Sequence, residues 1–256
     1  MSDSRAARGL LTLALPLALF AAWFGITATG LVKTDQLASP GGVLLEVRAL
    51  LASGLLWSNL GASIVRVAIG FACGLVAALV LGTAVGLSRG ADAALDPTLQ
   101  AIRAVPSLAW VPLLLLWLGI GEQAKDVLIA IGAFFPIYVN LIAGIRGVDR
   151  KLVEVARVLG MRGVTLARRV VLPAALPSLL VGARLGLTQA WLFLVAAELL
   201  ASTRGLGFML TEGQQISRTD EILTAILLLA ACGKLSESAM RALERRLLRW
   251  TDGLPA

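Results

Sequence analysis

Among the ionisable residues inside otherwise apolar stretches of this chain, Arg66 and Glu198 are the pair to watch, while Arg184 lies nearer a stretch end where a side chain can snorkel. A charge in lipid is costly to keep, so each is a functional candidate by default. Counting from the apolar segment ends, Arg66 lies about six residues and Glu198 about four residues inside, or roughly 9 and 6 Å at the helical rise. Those similar depths allow an ion pair facing a bundle interior. Direct contact with a solute and independent snorkelling to the surface remain open. If the two do pair, exchanging their charges should restore what each single change loses.

Other chemistry is sparse. Histidine is absent, which removes the commonest general base and metal ligand, and no catalytic, cofactor-binding or metal-binding constellation is visible. Cys73 and Cys232 sit in apolar runs and read as small packing residues. No nucleotide-binding Gly-x-x-x-x-Gly-Lys-[Ser/Thr] loop occurs, because Gly233-Lys234 is followed by Leu235 and lacks the preceding glycine. The expectation is a protein that is not itself an enzyme and holds no cofactor.

The elements that position these residues follow from composition. Of 256 residues, 58% are hydrophobic and 15% charged, with a mean hydropathy of +0.85. A water-soluble fold could not hide that much apolar surface, so the solvent is lipid. Stretches of spanning length lie near Leu10–Ala28, Leu60–Leu87, Ala104–Ile120, Val127–Ile145, Leu179–Ser202 and Ile222–Met240. This predicts an all-α polytopic membrane protein with about six transmembrane helices. The first stretch follows Arg5 and Arg8 as in a secretory signal, but no cleavage site stands out and it reads as a retained helix. Gly70, Gly74, Gly82 and Gly86 share one face of the second helix and mark close packing.

Basic residues set the expected orientation. Arg5, Arg8, Arg89, Arg103, Arg146, Arg150, Lys151, Arg157, Arg162, Arg168, Arg169, Lys234 and the arginines after Met240 fall on one side of a six-helix arrangement. Lys33, Arg48, Lys125, Arg204 and Arg218 fall on the other. Both termini are then cytoplasmic, and this bias accounts for much of the +7 charge without nucleic acid. Ser39-Pro40-Gly41-Gly42 opens a short segment, Val43–Leu51, that reads as an interfacial helix in a long outward connection.

The one extended cytoplasmic connection, about 146–178, is written as structure. Asp149 can cap a helix that ends at Gly160. Leu152, Val155, Ala156 and Leu159 then form one apolar stripe, flanked by Arg150, Lys151, Glu154 and Arg157. A second short helix, Val164–Val171, is expected to close at Leu172-Pro173, with Pro177 before re-entry into lipid. Such an amphipathic helix suits either a groove in a cytoplasmic partner or the lipid headgroups.

The run Glu154-Val155-Ala156-Arg157-Val158-Leu159-Gly160, then nine residues, then Val170-Val171-Leu172-Pro173, resembles the Glu-Ala-Ala loop of binding-protein-dependent ABC importer permeases. Val155 stands where that pattern has its first alanine and Val170 where it has isoleucine; both keep an apolar side chain. Ser39-Pro40, Ser63-Ile64-Val65-Arg66, Arg103-Ala104-Val105-Pro106, Trp117 through Glu122 and Ala190-Trp191 through Glu198 extend the likeness, which is closest to the nitrate, sulfonate and taurine branch. The resemblance covers roughly residues 39–207.

It implies a type I importer permease of MetI-like fold: a single transmembrane domain over 1–256 with its core at 57–245, in a bacterial inner membrane. The coupling residues would be Glu154, Val155, Ala156, Gly160, Leu172 and Pro173. The implied partners are a cytoplasmic ATPase dimer that binds the ATP, a second permease copy forming a homodimer, and a periplasmic or lipid-anchored solute-binding protein. A carrier driven by an ion gradient is the alternative; it would favour two related halves and a midplane acidic cluster, and neither is evident.

Overall fold

A computed structural model of the protein describes residues 3–249; the chain ends, whose cytoplasmic placement the charge pattern predicts, lie outside the described residues. The described residues fold into helices joined by short turns, without a strand. Apolar composition dictates this, because a helix satisfies its own backbone hydrogen bonds in lipid.

Helix α1 (Asp3–Ala28) precedes α2 (Pro40–Ala52) and the long α3 (Leu55–Leu87). Ser39 caps α2, its Oγ accepting from the Gly42 N–H at 3.1 Å, with Pro40 in the first turn where its missing N–H costs nothing. The α2 segment is the short helix expected near Val43–Leu51; it buries Val43, Glu46 and Leu50 and exposes Leu44 and Leu45. Trp23 of α1 donates its indole N–H to the Ala38 carbonyl at 3.0 Å. Helix α3 begins five residues before the expected Leu60, so Arg66 lies deeper in it than the apolar pattern indicated.

The third crossing differs from expectation. Ala104–Ile120 is not one helix. Ser88 caps α4 (Arg89–Ala104), an amphipathic helix that packs back along α3. The chain then breaks at Val105-Pro106, passes through a tight turn (Ser107–Trp110), and continues as α5 (Val111–Leu118), the two arms meeting at 90°. Proline causes the break by pushing Val105 into extended geometry, φ −73° and ψ 125°. Arg103 therefore leaves the predicted cytoplasmic set: α4 carries it inward along the bundle, away from the Ser88 end. Tyr138 donates to Asp96 at 2.8 Å, and Arg146 pairs with Asp92 at 2.6 Å, fixing α4 to the following helix.

That helix, α6 (Glu122–Arg146), is the centre of the molecule, flanked by α3 on one side and α9 (Leu172–Ala201) on the other. Ile129, Ala133, Ile137, Tyr138 and Leu141 are buried along it. Small residues permit the approach. A methyl on Gly74 would lie 2.6 Å from the Ala130 carbonyl, and one on Gly186 of α9 would lie 2.8 Å from the Ala133 carbonyl. The glycine face noted in the sequence, Gly70 through Gly86, points at α6 throughout.

Between α6 and α9 lie α7 (Arg150–Val158) and a helical lead-in, α8 (Gly163–Leu166), followed by one wide π turn (Ala167–Val171). Here a second expectation is corrected: Leu172-Pro173 and Pro177 do not end a helix. The π turn places the Leu172 N–H on the Ala167 carbonyl, and the widened ladder accommodates Pro173, which has no N–H to give. Residues 163–200 thus form one continuous 38-residue helical span, and the connection outside the bundle shrinks from the expected 146–178 to about 147–162.

Short α10 (Leu206–Gln215), which the apolar pattern did not reveal, sits between α9 and the final α11 (Thr219–Leu247). Trp191 joins α9 to α11 through the Ser236 hydroxyl at 2.9 Å. Four helices, α3, α6, the 163–200 span and α11, are long and apolar enough to cross a membrane. The bent α4–α5 pair makes a fifth, and α1 adds the apolar stretch Ala14–Ala28.

Candidate functional site

The helices bring two of the singled-out residue groups to opposite ends of the bundle. At the end that carries α10, Arg66 and Glu198 meet: Nη1 of Arg66 lies 2.7 Å from Oε1 of Glu198, with side chains 4% and 0% exposed. The pair belongs to a larger cluster. Nε and Nη2 of Arg66 form a two-pronged bond with Glu122 of α6 at 2.6 and 2.9 Å, and Nη1 also donates to the Arg204 carbonyl at 2.8 Å. Lys125 reaches the same Glu122 at 3.1 Å. One guanidinium therefore ties α3, α6 and α9 to the turn before α10.

Glu198 is equally well satisfied. Ser63 lies 2.8 Å from its Oε1, and the Gly207 N–H donates to its Oε2 at 2.7 Å. The Ser63 hydroxyl also accepts from the Leu206 N–H at 2.8 Å, while Asn59 accepts from the Gly205 N–H at 2.9 Å. These bonds pull the 204–207 turn onto the carboxylate. Glycine is required there, since Gly205 has φ +129° and a methyl on it would fall 2.4 Å from Glu198 Oε1. Two carboxylates against Arg66 and Lys125 leave the four charges balanced, as burial demands.

Glu122, Lys125 and the 204–207 turn were missed as members of this cluster. Glu122 and Lys125 flank the apolar run and read as connection residues. The available signal was arithmetic: one buried arginine offers five donors, more than one glutamate can accept.

At the other end, α7 stands outside the bundle. Asp149 caps it by accepting from the Lys151 N–H at 2.9 Å. It ends in a Schellman turn: Met161 N–H bonds to the Ala156 carbonyl and Gly160 N–H to that of Arg157, both at 3.0 Å, with Gly160 at φ +82°. The expected apolar stripe is divided. Ala156 is buried and Val153 packs on the bundle core, whereas Leu152, Val155, Val158 and Leu159 are exposed, Val158 to 88%. Glu154 is exposed beside them, and Leu172 and Pro173 lie in the span that α7 feeds. Basic residues crowd this end, among them Arg150, Lys151, Arg157, Arg162, Arg168 and Arg169.

At the α10 end Arg218 joins Glu46 of α2 to Asp220 and Glu221 at the head of α11. The hydrogen bond to Asp220 leads the influences that raise its pKa above the usual arginine value, so this clasp keeps its positive charge.

A multi-pass helical bundle with charges locked in its interior and a short amphipathic helix held outside it defines a polytopic integral-membrane protein. The chain belongs to the binding-protein-dependent transport system inner membrane component family, whose pattern matches residues 70–249. It is 45% identical over 245 residues to a Bacillus subtilis protein assigned as an aliphatic sulfonates transport permease, SsuC, covering 96% of this chain and 88% of that one. It is 35% identical over 237 residues to the taurine transport system permease protein TauC of Escherichia coli, covering 91% and 86%. The bicarbonate transport system permease protein CmpB of Synechococcus elongatus is 36% identical, covering 79% and 73%. Among solved structures, the inward-facing MetNI methionine ABC transporter shares the fold, with a TM-score of 0.60 and 24% identity over 79% of this chain and 98% of that one.

Proposed function

We propose that two copies of this chain form the membrane pathway of an ATP-driven importer for a small anionic solute of the sulfonate, taurine or nitrate class. The pathway works by alternating access in a bacterial inner membrane. The observation that carries the reading is α7, a capped nine-residue helix with an exposed apolar face, joined through Gly160 to a continuous helix that traverses the bundle. Exposed Val155 and Val158 suit a protein groove. The groove belongs to a cytoplasmic ATPase dimer, which binds the ATP; this chain binds none. A periplasmic or lipid-anchored binding protein delivers the solute at the α10 end.

The basic residues at the α7 end support a cytoplasmic location for that end and for both termini. The relatives are named for sulfonates, taurine and bicarbonate, small solutes that each carry an oxyanion group, taurine as the sulfonate of a zwitterion, which supports the solute class. Single cysteines at 155 and 158 should crosslink to the ATPase, and Val155→Asp should abolish both the crosslink and ATP-dependent solute accumulation. Uptake that survives ATP depletion and collapses with an uncoupler would overturn the reading in favour of an ion-driven carrier.

A further inference from the structure

Midway along the bundle a cavity of about 600 Å³ opens between the Pro106 break, α6 and α9. Its α6 lining runs from Ile131 to Asn140 and its α9 lining from Leu185 to Phe193, so it brackets the middle of both helices. At that depth lipid would be the default surrounding, yet the wall presents Arg103, Ser107, Asn140, Thr188 and Gln189. Exposed polar groups at mid-membrane are tolerated where they line a water-filled path or face another polypeptide.

Arg103 differs from the cations that the bundle pairs with its own carboxylates. Arg66 and Lys125 pair with glutamates, Arg146 with Asp92 and Arg184 with Glu244. Among the described residues Arg103 meets no carboxylate; its one hydrogen bond is a long 3.5 Å contact with Gln100. Its charge is left for something not in this chain. The polar wall around it also keeps free capacity. Asn140 uses one amide N–H on the Pro136 carbonyl and Thr188 its hydroxyl proton on the Arg184 carbonyl, leaving the second amide proton of Asn140 and the Gln189 amide to donate. A guanidinium that lines the cavity together with hydroxyl and amide groups matches a small oxyanion, whose oxygens accept several charge-assisted bonds.

We propose that this cavity is a transit site for the oxyanion head of the solute, with Arg103 as the charge-recognising residue and Ser107, Asn140, Thr188 and Gln189 as its polar wall. The proposal rests on the anionic-solute reading given above and adds the residues that meet the anion inside the membrane. The break at Pro106 is what makes the site, since an unbroken helix over 104–120 would have carried the chain past this level without an opening.

The test uses the chain assembled with its ATPase and binding protein in proteoliposomes, offered labelled ethanesulfonate, taurine, nitrate and bicarbonate. Arg103→Gln should lower uptake of the imported anion by about tenfold or more, the scale of one lost hydrogen bond to a charged group. Arg103→Lys should lower it less, and binding-protein-stimulated ATP hydrolysis should stay within about twofold of the unsubstituted complex in both, because the coupling helix is untouched. Uptake by Arg103→Gln equal to that of the unsubstituted chain overturns the transit site while leaving the importer reading intact. Joint loss of uptake and stimulated hydrolysis also overturns it, by showing a structural role. An unsubstituted complex that imports only solutes without an oxyanion group overturns both readings.

Should Arg103→Gln fail to accumulate, Ser107→Cys in a Cys73→Ser, Cys232→Ala background decides. Its labelling by an anionic ethylsulfonate thiol reagent should outpace that by a cationic reagent of equal size and slow when the imported anion is saturating. Equal rates in all three conditions would reject the site.

Discussion

Arg66 and Glu198 show how burial turns a pair into a network. With 0% of its side chain exposed, Glu198 cannot lose its charge partner to water, so Glu198→Gln should destabilise the protein by about 3–5 kcal/mol, the scale for breaking a buried pair. Glu122 is 54% exposed on the same arginine, and Glu122→Gln should cost less, about 1.5–3 kcal/mol, the scale of hydrogen bonds to charged groups, because it leaves buried Lys125 without its carboxylate. Thermal unfolding in detergent separates the two. The surroundings also revise the charge-exchange expectation. Glu198 is met by the Gly207 N–H and the Ser63 hydroxyl, while Arg66 is met by the Arg204 carbonyl and Glu122. Arg66→Glu with Glu198→Arg would set a carboxylate against a carbonyl and a second carboxylate, and a guanidinium against a donor. Membrane levels of the double variant should therefore stay as low as those of the single variants; recovery would show that the pair acts alone. Sequence depth alone placed these two residues together, but their polar surroundings come from a turn and a helix start far along the chain, which no local pattern encodes.

Among the elements, those with a strong local cause were legible. Asp149 and Gly160 bound α7 through capping and a positive φ, both visible as residue types at fixed offsets. The prolines misled. Pro106 breaks its helix, whereas Pro173 and Pro177 do not, and the difference lies in whether neighbouring turns can re-register; a π turn before Pro173 does so. Proline type alone cannot distinguish the cases. The division of the α7 stripe was equally hidden, because which apolar residues face the bundle depends on where α9 stands. Gly160→Ala tests the turn directly. Nothing lies within 4 Å of the added methyl, so the cost is conformational, about 1–2 kcal/mol for a left-handed residue with a side chain. It should re-aim α7 and reduce both crosslinking to the ATPase and solute uptake, with the protein still present in the membrane. Unchanged coupling would mean the turn can be built another way.

For the whole molecule, composition announced the solvent and periodic glycines announced a bundle, but not which helix sits in the middle. That place falls to α6, pressed from both sides by glycine-bearing faces. Gly186→Val should prevent α9 from seating, since its side chain would start 2.8 Å from a backbone carbonyl that cannot yield. The measurable outcome is loss of the folded monodisperse species in detergent.

The continuous helical span through residues 163–200 gives the bundle one long member. At 1.5 Å per residue it is roughly 57 Å long. Its near end adjoins the exposed amphipath and its far end carries Glu198. A tilt of a tenth of a radian imposed at the near end would sweep the far end through about 6 Å, roughly twice a hydrogen-bond length. The arginine clamp would then have to open or drag its neighbours along, so on the importer reading proposed above a small stroke at one end of the bundle would be geared into unlocking at the other.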